Sequence, residues 1–211
     1  IEGARTNLCL QSQTFDNASW TNTASTESAN ATTAPDGTLT ADKLIEDGTA
    51  ASAHRLLQSL TTTAAAYTFS VYAKAGERSW LYLRFNNSVP ESGYAWFNLG
   101  TGVVGSLLGT GVTSSIEALS GGWYRCVMKV ATANNALNTH VIGLTTGDAV
   151  TDYNGDNASG LYLWGAQAEL GAFPSSYIPT TTASATRAAD SLSITGVTGL
   201  EYPLSLFAEF E

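Results

Sequence analysis

Apolar and polar residues alternate in short stretches along most of the chain, and the spacing typical of helices is almost absent. In YTFSVYAK at 67–74, for example, every second residue is apolar and the residues between are charged or carry a hydroxyl group. Turn sequences such as PDG at 35–37, SGG at 120–122 and NGDNASG at 154–160 separate these stretches. The pattern predicts β-strands at 7–12, 42–46, 55–60, 67–74, 80–85, 94–99, 115–119, 123–131, 140–145 and 161–167.

About ten short strands with no fixed-period repeat predict an all-β fold, a two-sheet β-sandwich with jelly-roll topology. The composition agrees, because 44% of the 211 residues are hydrophobic and only 13% are charged. Thr, Ser, Asn and Gly supply much of the remaining polar surface. A chain of this length can form one large domain with a substantial core.

The sequence changes character near its C-terminal end. Residues 180–189 form a low-complexity Thr/Ala connector, and SLSITG and PLSLFAEFE beyond it predict two further strands. We therefore expect a sandwich domain at 1–182, and at 183–211 a connector with strands that begin a following domain or pair as an edge. Leu204, Leu206 and Phe210 give the last strand an apolar face, which we expect to dock on the sandwich.

The net charge limits the partners of the chain. Nine Lys and Arg residues stand against 18 Asp and Glu, a formal charge of -9, which disfavours nucleic acid and anionic membranes. No stretch is long and apolar enough to span a membrane, and the N-terminal residues do not form a secretion signal. Since residue 1 is Ile and not Met, we expect the chain to be a fragment of a longer protein.

The two cysteines are expected to be free thiols. Strand parity predicts that Cys9 points outward, between the inward-facing Leu8 and Leu10, whereas Cys126 lies on the apolar face of its own strand. Their separation fits no metal-ligand spacing. A sandwich without disulfides suits assembly in a reducing cytoplasm.

The same parity predicts a strip of outward aromatic and polar side chains on three successive strands. If these strands are neighbours in one sheet, the side chains share one face, which would be unusually aromatic for an exposed surface. The strip consists of Tyr72, Lys74, Trp80, Tyr82, Arg84, Tyr94, Trp96 and Asn98.

Sugars give one reason for such a face. A pyranose ring stacks its C–H face on Trp or Tyr, and its hydroxyl groups bond to Arg, Lys and Asn. The alternative is that loops or a neighbouring subunit cover the rings, which are then core or interface residues. The structure can distinguish these two alternatives: a sugar-binding face leaves the rings of Trp80 and Trp96 open to solvent, whereas a core or interface buries them.

The acidic loop 148–160 offers a possible metal site. Asp152, Asn154 and Asp156 have a spacing at which oxygen ligands can converge on a structural Ca²⁺ ion. An EF-hand loop is excluded, because Asn157 stands where that loop has Gly and Leu163 where it has Glu. The alternative is an Asx-rich turn between two strands, for which an Asn-Gly sequence is typical.

Catalysis finds little support in the sequence. His54 and His140 are the only histidines, and neither lies in a G-x-S-x-G or H-E-x-x-H motif. We interpret both as polar residues at strand ends and expect no enzyme activity. Paired carboxylates for glycoside hydrolysis meet only in three dimensions, so the sequence leaves that class open.

Five stretches together resemble a known module: ARTNLCLQSQTFDNASW at 4–20, APDGTLTADKL at 34–44, YTFSVYAKAG at 67–76, GGWYRCVMKV at 121–130 and LYLWGAQAELGAFPSSYIPTTTASATRAAD at 161–190. Their order is similar to that in the carbohydrate-binding-type jelly-roll module of phage tail fibres, spikes and head fibres, which also occurs in some secreted bacterial proteins. The resemblance covers residues 4–190.

Two functions follow from this resemblance. The first is a non-catalytic glycan- or polysaccharide-binding module, in a phage receptor-binding protein or appended to a polysaccharide-degrading enzyme. The alternative is a structural or assembly domain of a virion fibre that binds no ligand. The resemblance implies location in the virion, or secretion, and a homotrimer in the full-length protein.

Overall fold

The protein is described by a computed structural model, which covers residues 2–86, 93–133 and 137–191. Within these ranges the chain forms strands, one short 3-10 turn at Ser120–Gly122, and no α-helix. No helix of the described residues is long and apolar enough to cross a membrane. The strands are β1 (Arg5–Asn7), β2 (Thr21–Thr23), β3 (Ser25–Thr32), β4 (Ala41–Glu46), β5 (His54–Thr61), β6 (Tyr67–Ala75), β7 (Trp80–Asn86), β8 (Gly93–Asn98), β9 (Val103–Leu108), β10 (Val112–Ala118), β11 (Trp123–Val130), β12 (Leu137–Thr145), β13 (Gly160–Leu170) and β14 (Ala185–Arg187).

Twelve of the strands build two six-stranded antiparallel sheets, and β1 and β14 form a separate pair. Sheet 1 has the order β10-β11-β6-β13-β4-β3, and sheet 2 has the order β2-β5-β12-β7-β8-β9. Successive strands from β4 to β7 change sheet at each connection, and so do β11, β12 and β13. This alternation is jelly-roll winding, so the predicted all-β two-sheet sandwich is confirmed.

The core lies between the two sheets and is built by the alternation that predicted the strands. Phe69 and Val71 of β6 face Leu81, Leu83 and other inner residues of sheet 2, and all of them are fully buried. Burial of such apolar surface is the main stabilising contribution to the fold.

Both histidines are buried, so the sequence interpretation of them as polar strand-end residues needs correction. His140 has no exposed surface and lies between the rings of Phe69 and Phe85, at centroid distances of 4.8 and 4.7 Å. Neither of its ring nitrogens has a hydrogen-bond partner among the described residues. His54 does begin β5, but it is buried as well, with Nδ1 2.5 Å from the carbonyl oxygen of Ala24.

Cys9 also differs from its prediction. It is completely buried, because residues 8–12 do not form the predicted strand and strand parity does not apply to them. Cys126 is buried on the inner face as predicted, and both cysteines are free. Burial raises the pKa of both thiols well above the usual value, so neither is a reactive thiolate.

The connector beyond residue 182 is attached to the sandwich over part of its length. Strand β14 pairs with β1, and the Asp190 amide nitrogen donates a hydrogen bond to the Glu2 carbonyl oxygen over 2.8 Å. The segment 183–190 is therefore in contact with the domain that the sequence assigned to 1–182. The predicted C-terminal strand with Leu204, Leu206 and Phe210 lies outside the described residues.

Candidate functional site

The predicted strip does not share one sheet face. Tyr72 and Lys74 lie on β6 in sheet 1, whereas Trp80 and the other members lie on β7 and β8 in sheet 2. The connection 76–79 crosses from one sheet to the other, so outward side chains before and after it point to opposite sides of the sandwich. The prediction of a single strip was wrong, because jelly-roll winding separates strands that are consecutive in sequence.

Tyr72 belongs to an aromatic cluster on the outer face of sheet 1. Its ring lies 5.3 Å from Trp164 and 6.0 Å from Tyr177, and the Arg125 guanidinium lies 5.4 Å from its centroid. The segment after β13 covers this face, since the Ser175 carbonyl oxygen accepts a 2.7 Å hydrogen bond from Arg125. Tyr72 is therefore a partly buried packing residue.

Lys74 lines a separate cavity on the same side of the molecule. The cavity has a volume of about 420 Å³ and lies between the loop after β3 and the turn before β11. The Trp123 indole nitrogen donates a 3.1 Å hydrogen bond to the Thr33 carbonyl oxygen and holds that loop in place. Lys74 thus has no part in the surface that β7 and β8 form.

The outer face of sheet 2 gathers the other aromatic residues. Tyr82 is directly opposite Trp96, and Arg84 is directly opposite Tyr94. The rings of Tyr94 and Trp96 are stacked, with centroids 5.2 Å apart and planes 8° apart, and the Arg84 guanidinium lies 5.0 Å from the Tyr94 centroid. We call this surface the sheet-2 face, which comprises Arg55, Leu57, Trp80, Tyr82, Arg84, Tyr94, Trp96 and Val141.

The rings of the sheet-2 face differ in exposure. Tyr82 is 1% exposed and Trp96 is 4% exposed, whereas Trp80, Arg84 and Tyr94 are half-buried. The Trp96 indole nitrogen donates a 2.9 Å hydrogen bond to the Val150 carbonyl oxygen, so the loop after β12 covers this ring. Of the strip members on the sheet-2 face, Trp80, Arg84 and Tyr94 are thus placed to contact a ligand.

The loop after β12 is fixed across the end of sheet 2. The Asp148 carboxylate accepts hydrogen bonds from the backbone nitrogen and the hydroxyl group of Ser106, at 2.7 and 2.9 Å. Asn98 has a similar structural part, since its side-chain oxygen accepts hydrogen bonds from the amides of Gly100 and Thr101. Asn98 therefore stabilises the turn between β8 and β9.

Arg55, Leu57 and Val141 were missed by the sequence interpretation. Leu57 interrupts the alternation of β5, where the inward Gln58 is polar and the outward Leu57 is apolar. Arg55 and Leu57 are two residues apart on β5, so strand parity alone could have predicted that Arg55 also points outward. Its position beside Tyr82 follows only from the strand order β5-β12-β7.

The three candidate calcium ligands make separate contacts. The Asp156 carboxylate accepts hydrogen bonds from the Ser159 amide and hydroxyl at 2.7 and 2.6 Å, and the Asn154 side-chain oxygen accepts one from the Ala51 amide at 2.8 Å. Hydrogen bonds from Ser159 and Ala158, and more weakly the charge of Arg78, hold the pKa of Asp156 well below its usual range. Asp152 is exposed. Within the ranges that the structure covers, no three His, Cys, Asp or Glu side chains are grouped to hold a metal ion.

The loop contacts a buried carboxylate that sequence reasoning did not find. Glu46 is fully buried, and one of its oxygens accepts hydrogen bonds from Arg78 Nε at 2.9 Å and from the Tyr153 hydroxyl at 2.6 Å. The Asp156 amide donates to the other oxygen over 3.0 Å. We call Glu46, Arg78, Tyr153 and Asp156 the Glu46 network. Glu46, Arg78 and the loop that carries Tyr153 and Asp156 are far apart in sequence, so no local motif predicts the network.

We expect the melting temperature to be the same in EDTA and in excess Ca²⁺. Asp156 is already bonded within its own turn, and a guanidinium nitrogen of Arg78 lies 3.6 Å from its carboxylate, which disfavours a dication there. Thermal unfolding followed by circular dichroism, with Mg²⁺ as a matched control, measures this. A rise in melting temperature that saturates with Ca²⁺ alone would show a structural calcium site.

Comparisons with known proteins found solved structures of low sequence identity. No protein-family model and no curated protein sequence matches the chain. Among solved structures, the chain is similar to the enzymatically active domain of bacteriophage CBA120 tailspike protein 4, with 13% identity over 76% of this chain and a TM-score of 0.46. The match spans 21% of that tailspike chain.

Two further similar structures contain carbohydrate-binding modules. One is a carbohydrate binding module from Cellvibrio mixtus lichenase 5A in complex with cellotriose, with 11% identity and a TM-score of 0.39. The match covers 79% of this chain and 96% of that chain. The other holds modules of Clostridium thermocellum endo-1,4-beta-D-xylanase 10B complexed with xylohexaose, with 12% identity and a TM-score of 0.44. The match covers 85% of this chain and 30% of that chain.

Proposed function

We propose that the protein is a non-catalytic glycan-binding module whose binding surface is the sheet-2 face. The observation that carries the proposal is the combination of half-buried Trp80 and Tyr94 with Arg55 and Arg84 on one sheet face. Tyr82 and Trp96 lie beside them on the same face: the Tyr82 and Trp96 centroids are 6.1 Å apart, and Tyr94 stacks on Trp96.

Each kind of side chain on this surface has a part in sugar recognition. The C–H face of a pyranose ring gains dispersion contacts and loses contact with water when it lies on an indole or phenol ring. Arginine nitrogens donate hydrogen bonds to hydroxyl or carboxylate oxygens and thereby orient the sugar. Since Tyr82 and Trp96 are held by neighbouring side chains and by Val150, the platform is formed before the ligand binds.

A second function, assembly with other subunits of a virion fibre, has its own observation. The edge strand β9 exposes apolar side chains next to the sheet-2 face, with Leu107 44% and Leu108 52% exposed. Exposed apolar edge strands favour contact with another protein chain. If this function is the correct one, Leu108→Lys converts an oligomer into a monomer in light scattering and the wild-type protein binds no glycan.

Location in a virion, or secretion, belongs to the same proposal and rests on the sequence resemblance. A homotrimer in the full-length protein is proposed on the same ground. Light scattering of the full-length protein, together with its detection in purified particles, measures both.

Substitution of the half-buried rings tests the proposal. We expect Trp80→Ala and Tyr94→Ala each to weaken glycan binding by about 1 to 3 kcal/mol, because each removes a stacking surface. Isothermal titration calorimetry with the best ligand from a glycan array measures the loss. Phe173→Ala is the matched control, since Phe173 is 67% exposed and contacts Lys129 of sheet 1.

Trp96→Ala has a different expected effect, because this ring is buried and hydrogen-bonded to Val150. It lowers the stability of the fold, so it is unsuited to a binding test. Unchanged glycan affinity in both Trp80→Ala and Tyr94→Ala, with both variants folded, would contradict the assignment of the surface. An array with no bound glycan would contradict the function itself.

A further inference from the structure

The six strands of sheet 2 contain no acidic residue. Neither Asp nor Glu occurs in β2, β5, β7, β8, β9 or β12, although the chain has 18 acidic residues against nine Lys and Arg. The same strands contain Arg55 and Arg84, both on the sheet-2 face. The strands of this face thus supply two cations and no carboxylate, while the Asp148 carboxylate of the loop after β12 lies near Trp80 and is bonded to Ser106.

Arg55 differs in its surroundings from the three cations that pair with a glutamate. Lys43, Arg78 and Arg187 each form an ion pair with a glutamate, whereas Arg55 forms none with any described residue. Its Nε atom is buried and has no hydrogen-bond partner in the described part of the chain. A buried guanidinium donor without an acceptor is unfavourable, and an anion that reaches it removes this penalty.

The buried Tyr82 ring lies beside Arg55 and supports its position. In the register of the sheet, Gly143 stands between Arg55 and Tyr82, and the Tyr82 ring lies over Gly143 so closely that a Cβ atom there would overlap it. The Tyr82 oxygen is buried, and the Arg55 side chain lies close enough to interact with it. Burial raises the pKa of Tyr82 to about 12, although Arg55 and Arg84 oppose this rise, so the phenol keeps its proton at neutral pH.

Arg84 completes the cationic surface on the other side of Tyr82. It is two residues from Tyr82 on β7 and lies over the Tyr94 ring, and one of its nitrogens is 3.3 Å from the side-chain oxygen of Asn86. A guanidinium group offers paired N–H donors that match the two oxygens of a carboxylate. Neutral sugar hydroxyls satisfy such a group less well, because the hydrogen bond lacks the opposite charge.

We propose that the sheet-2 face selects glycans that bear carboxylates, with Arg55 and Arg84 binding the carboxylate groups while Trp80 and Tyr94 contact the sugar rings. This ligand class rests on the proposed glycan-binding function and narrows it. The carboxylate belongs to an acidic sugar unit such as a uronic or sialic acid.

A two-part experiment tests the selectivity. An array is first probed that holds oligogalacturonate, oligomannuronate, hyaluronan and sialylated oligosaccharides beside neutral cello-, xylo- and manno-oligosaccharides. We expect carboxylated members to bind best. Calorimetry then compares the best acidic ligand with its methyl ester, which has the same rings without the charge, and we expect the ester to bind at least about tenfold more weakly.

Matched charge substitutions locate the interaction. Arg55→Gln and Arg84→Gln are each expected to weaken binding of the acidic ligand at least about tenfold. Lys74→Gln removes the same charge from the cavity on sheet 1 and is expected to leave affinity within about twofold, since screened charges at a distance contribute little. Circular dichroism confirms that the three variants are folded.

The outcomes separate this inference from the proposed function. If neutral oligosaccharides bind as tightly as acidic ones, or the ester binds as tightly as the acid, the carboxylate selectivity is wrong while glycan binding stands. If Lys74→Gln abolishes binding and both arginine variants keep it, the acidic ligand binds in the sheet-1 cavity and the inference is overturned. If no glycan of either class binds, both proposals fail.

Discussion

Acidification from about pH 7.5 to pH 5 is expected to destabilise the protein by about 2 kcal/mol through His140 alone. Burial lowers the pKa of His140 from 6.5 to about 3 in the folded state. Between these two values the unfolded chain binds a proton that the folded chain excludes, so stability falls as the pH falls. The loss begins below pH 6.5 and continues to pH 3, because only there does the folded ring also become protonated.

The structural cause is the place of His140 in the core. An imidazolium ion between the Phe69 and Phe85 rings would have neither a hydrogen-bond acceptor nor an anion among the described residues. Such an unpaired charge in an apolar site is strongly unfavourable. Protonation of His140 therefore favours the unfolded state, in which water surrounds the ring.

Urea unfolding of the wild type and of His140→Leu at several pH values measures the effect. Leu fills a similar volume without a titratable group, so the stability difference between the two proteins should change by about 2 kcal/mol between pH 7.5 and pH 5. Carboxyl groups such as Asp42, whose pKa burial raises, contribute equally to both proteins and cancel. His140→Met serves if the Leu variant does not fold. Parallel pH profiles of wild type and variant would show that His140 is not kept neutral by the core.

Arg78→Met is expected to destabilise the protein by about 3 to 5 kcal/mol, which is more than the effect expected from protonation of His140. The substitution leaves the Glu46 carboxylate in a fully buried position without its cation. The Tyr153 hydroxyl and the Asp156 amide still donate to it, but neither carries a positive charge. The loss of one partner of a buried ion pair is much more damaging than the loss of an exposed pair.

Lys43→Met is the matched control for this prediction. Lys43 pairs with Glu77 over 2.8 Å, but the Glu77 side chain is 55% exposed, so water can replace the lost cation. We expect a change in the free energy of unfolding of less than about 1 kcal/mol for Lys43→Met. Equal losses in the two variants, measured by urea unfolding near pH 7.5, would contradict the importance of burial for the Glu46 network.

The alternation of apolar and polar residues determined most of the strands and their inner faces. Phe69 and Val71 belong to the apolar positions of 67–74, and Leu81 and Leu83 alternate with the outward Trp80, Tyr82 and Arg84; each of the four is buried. Burial of one face imposes a period of two residues on a strand, so this information is local and can be read from a short segment. The strands with the weakest pattern were not predicted: β2, β3 and β14 are short or polar, and β9 is an exposed edge.

Only the tertiary structure decided which sheet each strand joins and what covers each outward side chain. Tyr72 and Tyr82 have the same parity in neighbouring strands, but the crossing at 76–79 places them on opposite sides of the sandwich. The burial of Trp96 depends on a loop more than fifty residues further along the chain, which carries Val150. The Glu46 network and the position of Arg55 beside Tyr82 likewise depend on long-range strand order. The physical reason is that strand parity is set by neighbouring residues, whereas sheet membership and burial follow from the closing of the whole jelly roll.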